Sequence, residues 1–121
     1  GNQTWTEATH ATYGAGFTTT TNGLTISYYQ YGNNNPARTP DADHIRIYQG
    51  SALVITSTAN KAIKKVTIEA LSENYVGPIT VGESTVNPTG TKLVWTGTTN
   101  SFEAVTTKQV RAKSISVVLA E

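Results

Sequence analysis

The sequence predicts an all-β protein, an antiparallel two-sheet β-sandwich of jelly-roll type with about eight or nine strands. Apolar residues alternate with period two along most of the chain, and Thr, Val, Ile and Tyr dominate these stretches. Turn-forming segments such as Asn22-Gly23 and residues 87–90 (NPTG) separate the stretches at short intervals. No stretch shows about ten residues of capped helical periodicity. Short strands with regular turns favour a sandwich.

The alternation of apolar and polar residues predicts each strand in turn. Residues 24–29 (LTISYY) place Leu24, Ile26 and Tyr28 on one face, and residues 44–49 (HIRIYQ) do the same with two isoleucines. The other predicted strands are residues 51–57, 64–71, 78–82, 91–97, 101–106 and 110–120. Residues 72–75 (SENY) predict one helical turn, whereas residues 18–23 and 31–43 are interpreted as linkers.

Length and composition limit the function classes. A chain of 121 residues and 12.9 kDa predicts one domain, here a single β-sandwich module (residues 1–121) that we expect to be excised from a larger protein. The net charge of +1 does not favour nucleic acid or an anionic membrane as partner. The chain has no cysteine, so disulfides and thiolate metal sites cannot form. We expect a monomer within a multidomain chain.

Three segments carry a resemblance to a known kind of module: residues 44–56 (HIRIYQGSALVIT), 61–70 (KAIKKVTIEA) and 92–117, which include KLVWTGTTNSFEAV and VRAKSISV. In this order they resemble an uncharacterised β-sandwich module of multidomain extracellular proteins from gut and rumen bacteria. The resemblance covers roughly residues 20–119. It implies an extracellular or cell-surface location in bacteria and a non-catalytic carbohydrate-binding role, and it carries over no ligand residues.

Aromatic residues supply the first candidate binding surface. If Tyr28 faces the core, Tyr29 and Tyr31 face outward, and Tyr48 does so on its own predicted strand beside Arg46. Flat rings bind the C–H face of a sugar, so these tyrosines with Arg38 predict a glycan platform. Cross-strand packing that only stabilises the sheet is the alternative. Trp95 has the parity of a core residue, and Trp5 fits either role.

Basic residues supply the second candidate surface. All nine follow Pro36, and six of them form two clusters, which are Lys61, Lys64 and Lys65 and then Lys108, Arg111 and Lys113. If the last strand and the strand from Val66 share a sheet, the clusters predict a positive strip for uronic acids of pectin-like polymers. The alternative is that these side chains keep sheet edges soluble.

Metal and catalytic signatures are weak. Asp41 and Asp43 precede a predicted strand and could bind a structural Ca²⁺, or form an Asx-turn. His10 and His44 have no zinc-ligand spacing, and the chain contains no Gly-x-Ser-x-Gly nucleophile motif. We therefore predict no enzyme activity.

The sequence thus predicts a non-catalytic carbohydrate-binding module that directs an attached enzyme or surface protein to a plant cell-wall polysaccharide, neutral or uronic-acid-rich. The alternative is a structural or adhesin spacer of a bacterial surface protein that has no affinity for glycans.

Overall fold

A computed structural model describes residues 4–30, 40–41 and 43–121, and it confirms the all-β class. One 3-10 turn, Glu73–Tyr75, occupies the predicted helical position. Within the described residues, no helix is long and apolar enough to cross a membrane. The strands are β1 (Thr6–His10), β2 (Gly14–Thr21), β3 (Leu24–Tyr29), β4 (Ile45–Ile47), β5 (Ala52–Ser57), β6 (Ile63–Ala70), β7 (Ile79–Val81), β8 (Ser84–Val86), β9 (Lys92–Thr99), β10 (Ser101–Thr106) and β11 (Val110–Leu119).

The eight strands from β4 to β11 form the predicted jelly roll. One sheet has the order β4-β11-β6-β9, and the other contains β5-β10-β7-β8, with every neighbouring pair antiparallel. The chain passes to the opposite sheet at each connection except the β7–β8 hairpin. Strands far apart in sequence, such as β4 and β11, therefore lie side by side.

The three N-terminal strands extend only one of the two sheets. They continue it beyond β5, so a seven-stranded sheet of order β1-β2-β3-β5-β10-β7-β8 faces a four-stranded one. Strands β1 and β2 of this extension and the short β8 raise the count to eleven strands, above the eight or nine predicted. The inner face of the extension therefore has no complete partner sheet.

A threonine run forms part of β2, so the linker interpretation of residues 18–23 is wrong for residues 18–21. The run lacks the apolar alternation that predicts a strand, although threonine itself favours strands. Its hydroxyl groups pair across the β2–β3 hairpin, where Thr18 Oγ1 lies 2.6 Å from Ser27 Oγ. On the opposite face, the Thr19 hydroxyl donates to the carbonyl of Thr4 at 2.8 Å. Strand β2 is therefore stabilised by its pairing with β1 and β3, and its apolar periodicity does not predict it.

Apolar side chains from the inner faces of both sheets form one hydrophobic core. The prediction that Tyr28 belongs to it is confirmed, since only 1% of this residue is exposed. The inward orientation of Trp95 is also confirmed, because its ring packs edge-to-face on Phe102 at 5.3 Å between centroids. Burying a side chain of this size stabilises the fold by about 1.5–3 kcal/mol.

Candidate functional site

A cleft opens where the extended sheet has no complete cover. Strand β4 has only three residues, so it covers little of the inner face of β2 and β3. The resulting space, here called the edge cleft, has a volume of about 330 Å³ and lies between β2–β3 on one side and β4–β11 on the other. Pockets of this size accept small ligands, including a sugar residue.

The apolar part of the edge cleft centres on Trp5. This half-buried indole packs edge-to-face on Tyr28, with 5.5 Å between ring centroids. The Thr4–Thr19 hydrogen bond holds the segment before β1 against β2, which positions the indole at the cleft. Ile26, Ile45 and Ile115 add aliphatic surface. The indole thus lines a concave site and is supported from below by the buried ring of Tyr28.

The polar part of the edge cleft centres on His44. Its Nδ1 atom lies 2.7 Å from a carboxylate oxygen of Asp43, and its Nε2 atom lies 3.4 Å from Asp41 Oδ2. A backbone hydrogen bond from Asp41 to the His44 carbonyl closes the turn that brings these groups together. Other polar residues of the lining are Thr19, Thr21, Asn22, Lys113 and Ser114. The cleft therefore combines an aromatic ring with both hydrogen-bond donors and hydrogen-bond acceptors.

The predicted tyrosine platform is not exposed at Tyr29, and this part of the prediction is wrong. Tyr29 faces outward as its parity requires, but only 8% of it is exposed. It lies opposite Gly16, whose missing side chain leaves room for the ring, and Tyr13 stacks on it with centroids 6.3 Å apart. His10 also contacts the Tyr29 ring, at 5.1 Å. The loop after β1 thus covers a face that the sequence suggests is open.

The other members of the platform have separate outcomes. Tyr31 and Arg38 lie outside the described residues. Tyr48 is half-buried directly after β4, and its carbonyl accepts a hydrogen bond from the Thr106 hydroxyl at 2.7 Å. Arg46 lies on β4 and reaches the edge-cleft turn, with its Nε atom 3.6 Å from Asp41 Oδ2 and 3.3 Å from His44 Nε2.

The two basic clusters share a sheet but do not form one strip. Strands β6 and β11 pair directly, yet the pairing is antiparallel and places Lys65 opposite Val118. The second cluster lies at the other end of the sheet, where Ser114 is opposite Glu69. Residues 65 and 69 lie about 13 Å apart along β6. An acidic residue therefore interrupts the surface between the clusters.

The second cluster and the edge cleft lie at the same end of the molecule. Lys113 lines the cleft, and Arg111 lies directly opposite Arg46 in the β4–β11 pair. At the other end, Lys64 donates a hydrogen bond to Thr98, and Lys61 is exposed beyond β6. Lys108 precedes β11 and packs beside Gly77.

Known proteins offer no guide to this site. Comparison with protein-family models, with curated proteins and with solved structures finds no match. The functional argument therefore depends on the geometry of the edge cleft and of the basic residues beside it.

The proposed calcium ligands bind opposite sides of one imidazole ring. Asp43 contacts Nδ1 of His44 and Asp41 contacts Nε2, so both carboxylates have partners within the chain. Among residues 4–30, 40–41 and 43–121, no group of three or more His, Cys, Asp or Glu side chains could hold a metal ion. A structural calcium ion stays one of the two predicted alternatives, and the contacts with His44 favour the other, a turn without a cation.

Sequence reasoning missed the contribution of Trp5 and His44 to one cleft. Trp5 lies in a polar N-terminal segment that shows no periodicity, and His44 is informative in sequence only as a metal ligand. Trp5 precedes β1 in the seven-stranded sheet, and His44 precedes β4 in the four-stranded sheet. The two residues meet in the edge cleft because long-range strand pairing places these two sheet edges opposite each other. The only local sequence signal for this cleft was the turn-forming segment Asp-x-Asp-His at residues 41–44.

Proposed function

We propose that this chain is a non-catalytic carbohydrate-binding domain and that its glycan binds in the edge cleft. The observation that carries the proposal is the indole of Trp5 beside hydroxyl, carboxylate, imidazole and ammonium groups in a cleft of about 330 Å³. A sugar presents a C–H face and a rim of hydroxyl groups, and it needs both kinds of partner. In this proposal the domain works outside a bacterial cell, where it directs an attached enzyme or surface protein to plant cell-wall polysaccharide.

The test is affinity electrophoresis against neutral and acidic plant polysaccharides, followed by titration of the best ligand. Trp5→Ala should weaken binding by roughly five- to thirtyfold, the effect of one stacked ring. Trp95→Ala is the matched control, because it removes an indole of similar burial at Phe102, away from the cleft. Trp95→Ala should lower the melting temperature, and at temperatures where the variant is folded it should leave the affinity for the polysaccharide unchanged.

A second pair of variants removes one hydroxyl group without changing side-chain shape. Thr21 lines the edge cleft, whereas its neighbour Thr20 faces the outer side of the sheet and lies near Thr25. Thr21→Val should weaken glycan binding, and Thr20→Val should not. Equal affinities for wild type, Trp5→Ala and Thr21→Val would show that the edge cleft is not the glycan site.

The second candidate function is a structural or adhesin spacer without glycan affinity. The packing of Tyr29 against His10 and Tyr13 favours it, because these rings stabilise the sheet and cover Tyr29, the member of the predicted platform that lies on β3. If the folded domain binds none of the polysaccharides in the panel, the spacer function is supported and carbohydrate binding is contradicted.

A further inference from the structure

The charged groups of the edge cleft nearly balance one another. Among the described residues of its lining, Asp41 and Asp43 carry carboxylates and Lys113 carries an ammonium group. Arg46 is not part of the lining, because both of its neighbours on β4 are buried and its own side chain lies on the outer face of the sheet. Its Nε atom nevertheless lies 3.6 Å from Asp41 Oδ2 and offsets part of that charge. The cleft therefore carries no excess of positive charge.

The imidazole of His44 holds the carboxylate of Asp43 in place. The Nδ1 atom lies 2.7 Å from Asp43 Oδ1, and since a carboxylate only accepts, the nitrogen is the donor. On the other side of the ring, Nε2 accepts a hydrogen bond from Arg46 Nε at 3.3 Å. Both contacts fit a neutral imidazole with its proton on Nδ1, and only 10% of the His44 side chain is exposed. A buried ring that is fixed on both sides thus positions Asp43.

Asp43 presents an acceptor to a ligand. Its side chain is 78% exposed, and the contact with His44 through Oδ1 is its one hydrogen bond within the part of the chain that the structure describes. The second carboxylate oxygen, Oδ2, is therefore available at the cleft. Lys113 is exposed on β11, and none of the described carboxylates forms an ion pair with it. The cleft thus offers a positioned acceptor together with an ammonium donor.

We infer that the edge cleft selects an uncharged glycan and that Asp43 accepts a hydrogen bond from one of its hydroxyl groups. This inference rests on the proposed function and names the ligand class of that site. A hydroxyl group both donates and accepts, so sugar hydroxyls suit Asp43 and Lys113 alike. A uronic acid would bring a third carboxylate beside Asp41 and Asp43, and like charges in a cleft repel each other. An amino sugar would meet the same repulsion at Lys113.

The probes are oligosaccharides of three charge classes, used beside the panel of plant polysaccharides. The uncharged class comprises cello-, xylo- and galacto-oligosaccharides, the acidic class is an oligogalacturonate, and the amino class is a glucosamine oligomer. We expect the tightest ligand to be uncharged and the oligogalacturonate to bind about tenfold more weakly or not at all. The affinity for the uncharged ligand should be nearly the same at low and physiological salt, because salt screens charge pairs.

One variant removes the charge of Asp43 and keeps its shape. Asp43→Asn retains a side-chain oxygen for the Nδ1–H group of His44, so the turn should persist. It should weaken binding of the uncharged ligand by roughly five- to tenfold, because hydrogen bonds to charged acceptors are stronger. The same variant should strengthen oligogalacturonate binding severalfold at low salt, since it removes a like charge. These opposite shifts require the carboxylate to face the ligand.

Glu83→Gln is the matched control for this variant. It makes the same exchange of a carboxylate for an amide at an exposed position between β7 and β8. That position lies at the edge of the seven-stranded sheet opposite to β1–β3, away from the edge cleft. Glu83→Gln should leave the affinity for every probe unchanged.

The outcomes separate the two proposals. If the oligogalacturonate or the glucosamine oligomer binds more tightly than every uncharged glycan, the charge selection is wrong and the proposed function stands. If Asp43→Asn and Glu83→Gln have the same affinities, Asp43 is not the acceptor and the inference is overturned. If none of the oligosaccharides and polysaccharides binds to the folded wild-type domain, both proposals are overturned.

Discussion

Tyr28 and Tyr29 are adjacent in β3 and face opposite sides of the seven-stranded sheet. Tyr28 enters the core between the sheets, and Tyr29 enters a small aromatic cluster on the outer face with His10 and Tyr13. The hydroxyl group of Tyr13 donates to Glu103 at 2.5 Å, which ties this cluster to β10. Side-chain parity was predictable, but the covering of the outer face was not.

We predict that replacing either tyrosine with alanine destabilises the protein. Tyr28→Ala should lower the free energy of unfolding by about 3–5 kcal/mol, because it removes buried surface and leaves a cavity. Tyr29→Ala should lower it by about 1.5–3 kcal/mol, since the site borders solvent and can relax. Denaturant unfolding measures both changes.

An exposed valine provides the control for these two variants. Val94 is 45% exposed on β9, so Val94→Ala should change the free energy of unfolding by no more than about 0.5 kcal/mol. If Tyr29→Ala unfolds at the same denaturant concentration as Val94→Ala, the aromatic cluster contributes nothing to stability.

The β2–β3 hairpin sets which tyrosine faces the core. Asn22 and Gly23 both have positive φ, at 50° and 77°, the signature of the tight turn that matches strand twist. This turn pairs Thr21 with Leu24 and carries the register on to Phe17 and Tyr28. A shift by one residue would move every side chain of β3 to the other face, so the turn and the core depend on each other.

We predict that Gly23→Ala destabilises the hairpin through backbone strain. A side chain at φ 77° costs about 1–2 kcal/mol, whereas the added Cβ would make only an ordinary contact with Ala59 Cβ at 3.4 Å. The comparison is Asn22→Gly, which accepts positive φ and should change stability by less than about 1 kcal/mol. Equal stability of Gly23→Ala and wild type in thermal melts would contradict the turn geometry.

At the scale of the whole molecule, the unequal sheets create the edge cleft. The four-stranded sheet is too narrow to cover the whole inner face of the seven-stranded sheet. The N-terminal segment that carries Trp5 covers part of the remaining inner face. The same asymmetry brings residues from both ends of the chain, Trp5 and Lys113, to one site. The proposed glycan binding would therefore be linked to folding, because residues that line the cleft also close the core.

We predict that a chelator leaves the melting temperature unchanged. Asp41 and Asp43 already have His44 and Arg46 as partners, so the turn needs no cation to offset its carboxylates. A bound calcium ion would stabilise the folded state by mass action, and its removal would lower the melting temperature. Melts in EDTA and in excess calcium chloride, repeated on Asp43→Asn, distinguish the two cases.

The sequence by itself determined the strands and their faces. Alternation is a local property, so Tyr28, Trp95 and the Asn22-Gly23 turn were all predictable, as were the 3-10 turn and the jelly-roll sandwich. Strands without apolar alternation, such as the threonine-rich part of β2, were missed because their stability comes from neighbouring strands.

Only the tertiary structure decided which surfaces are free. The covering of Tyr29, the separation of the two basic clusters and the opposition of Arg46 and Arg111 all follow from antiparallel pairing between distant segments. The edge cleft follows from the strand count of each sheet. Local composition fixes the side of a strand to which a residue belongs, but exposure depends on what packs against that side, and those partners come from elsewhere in the chain.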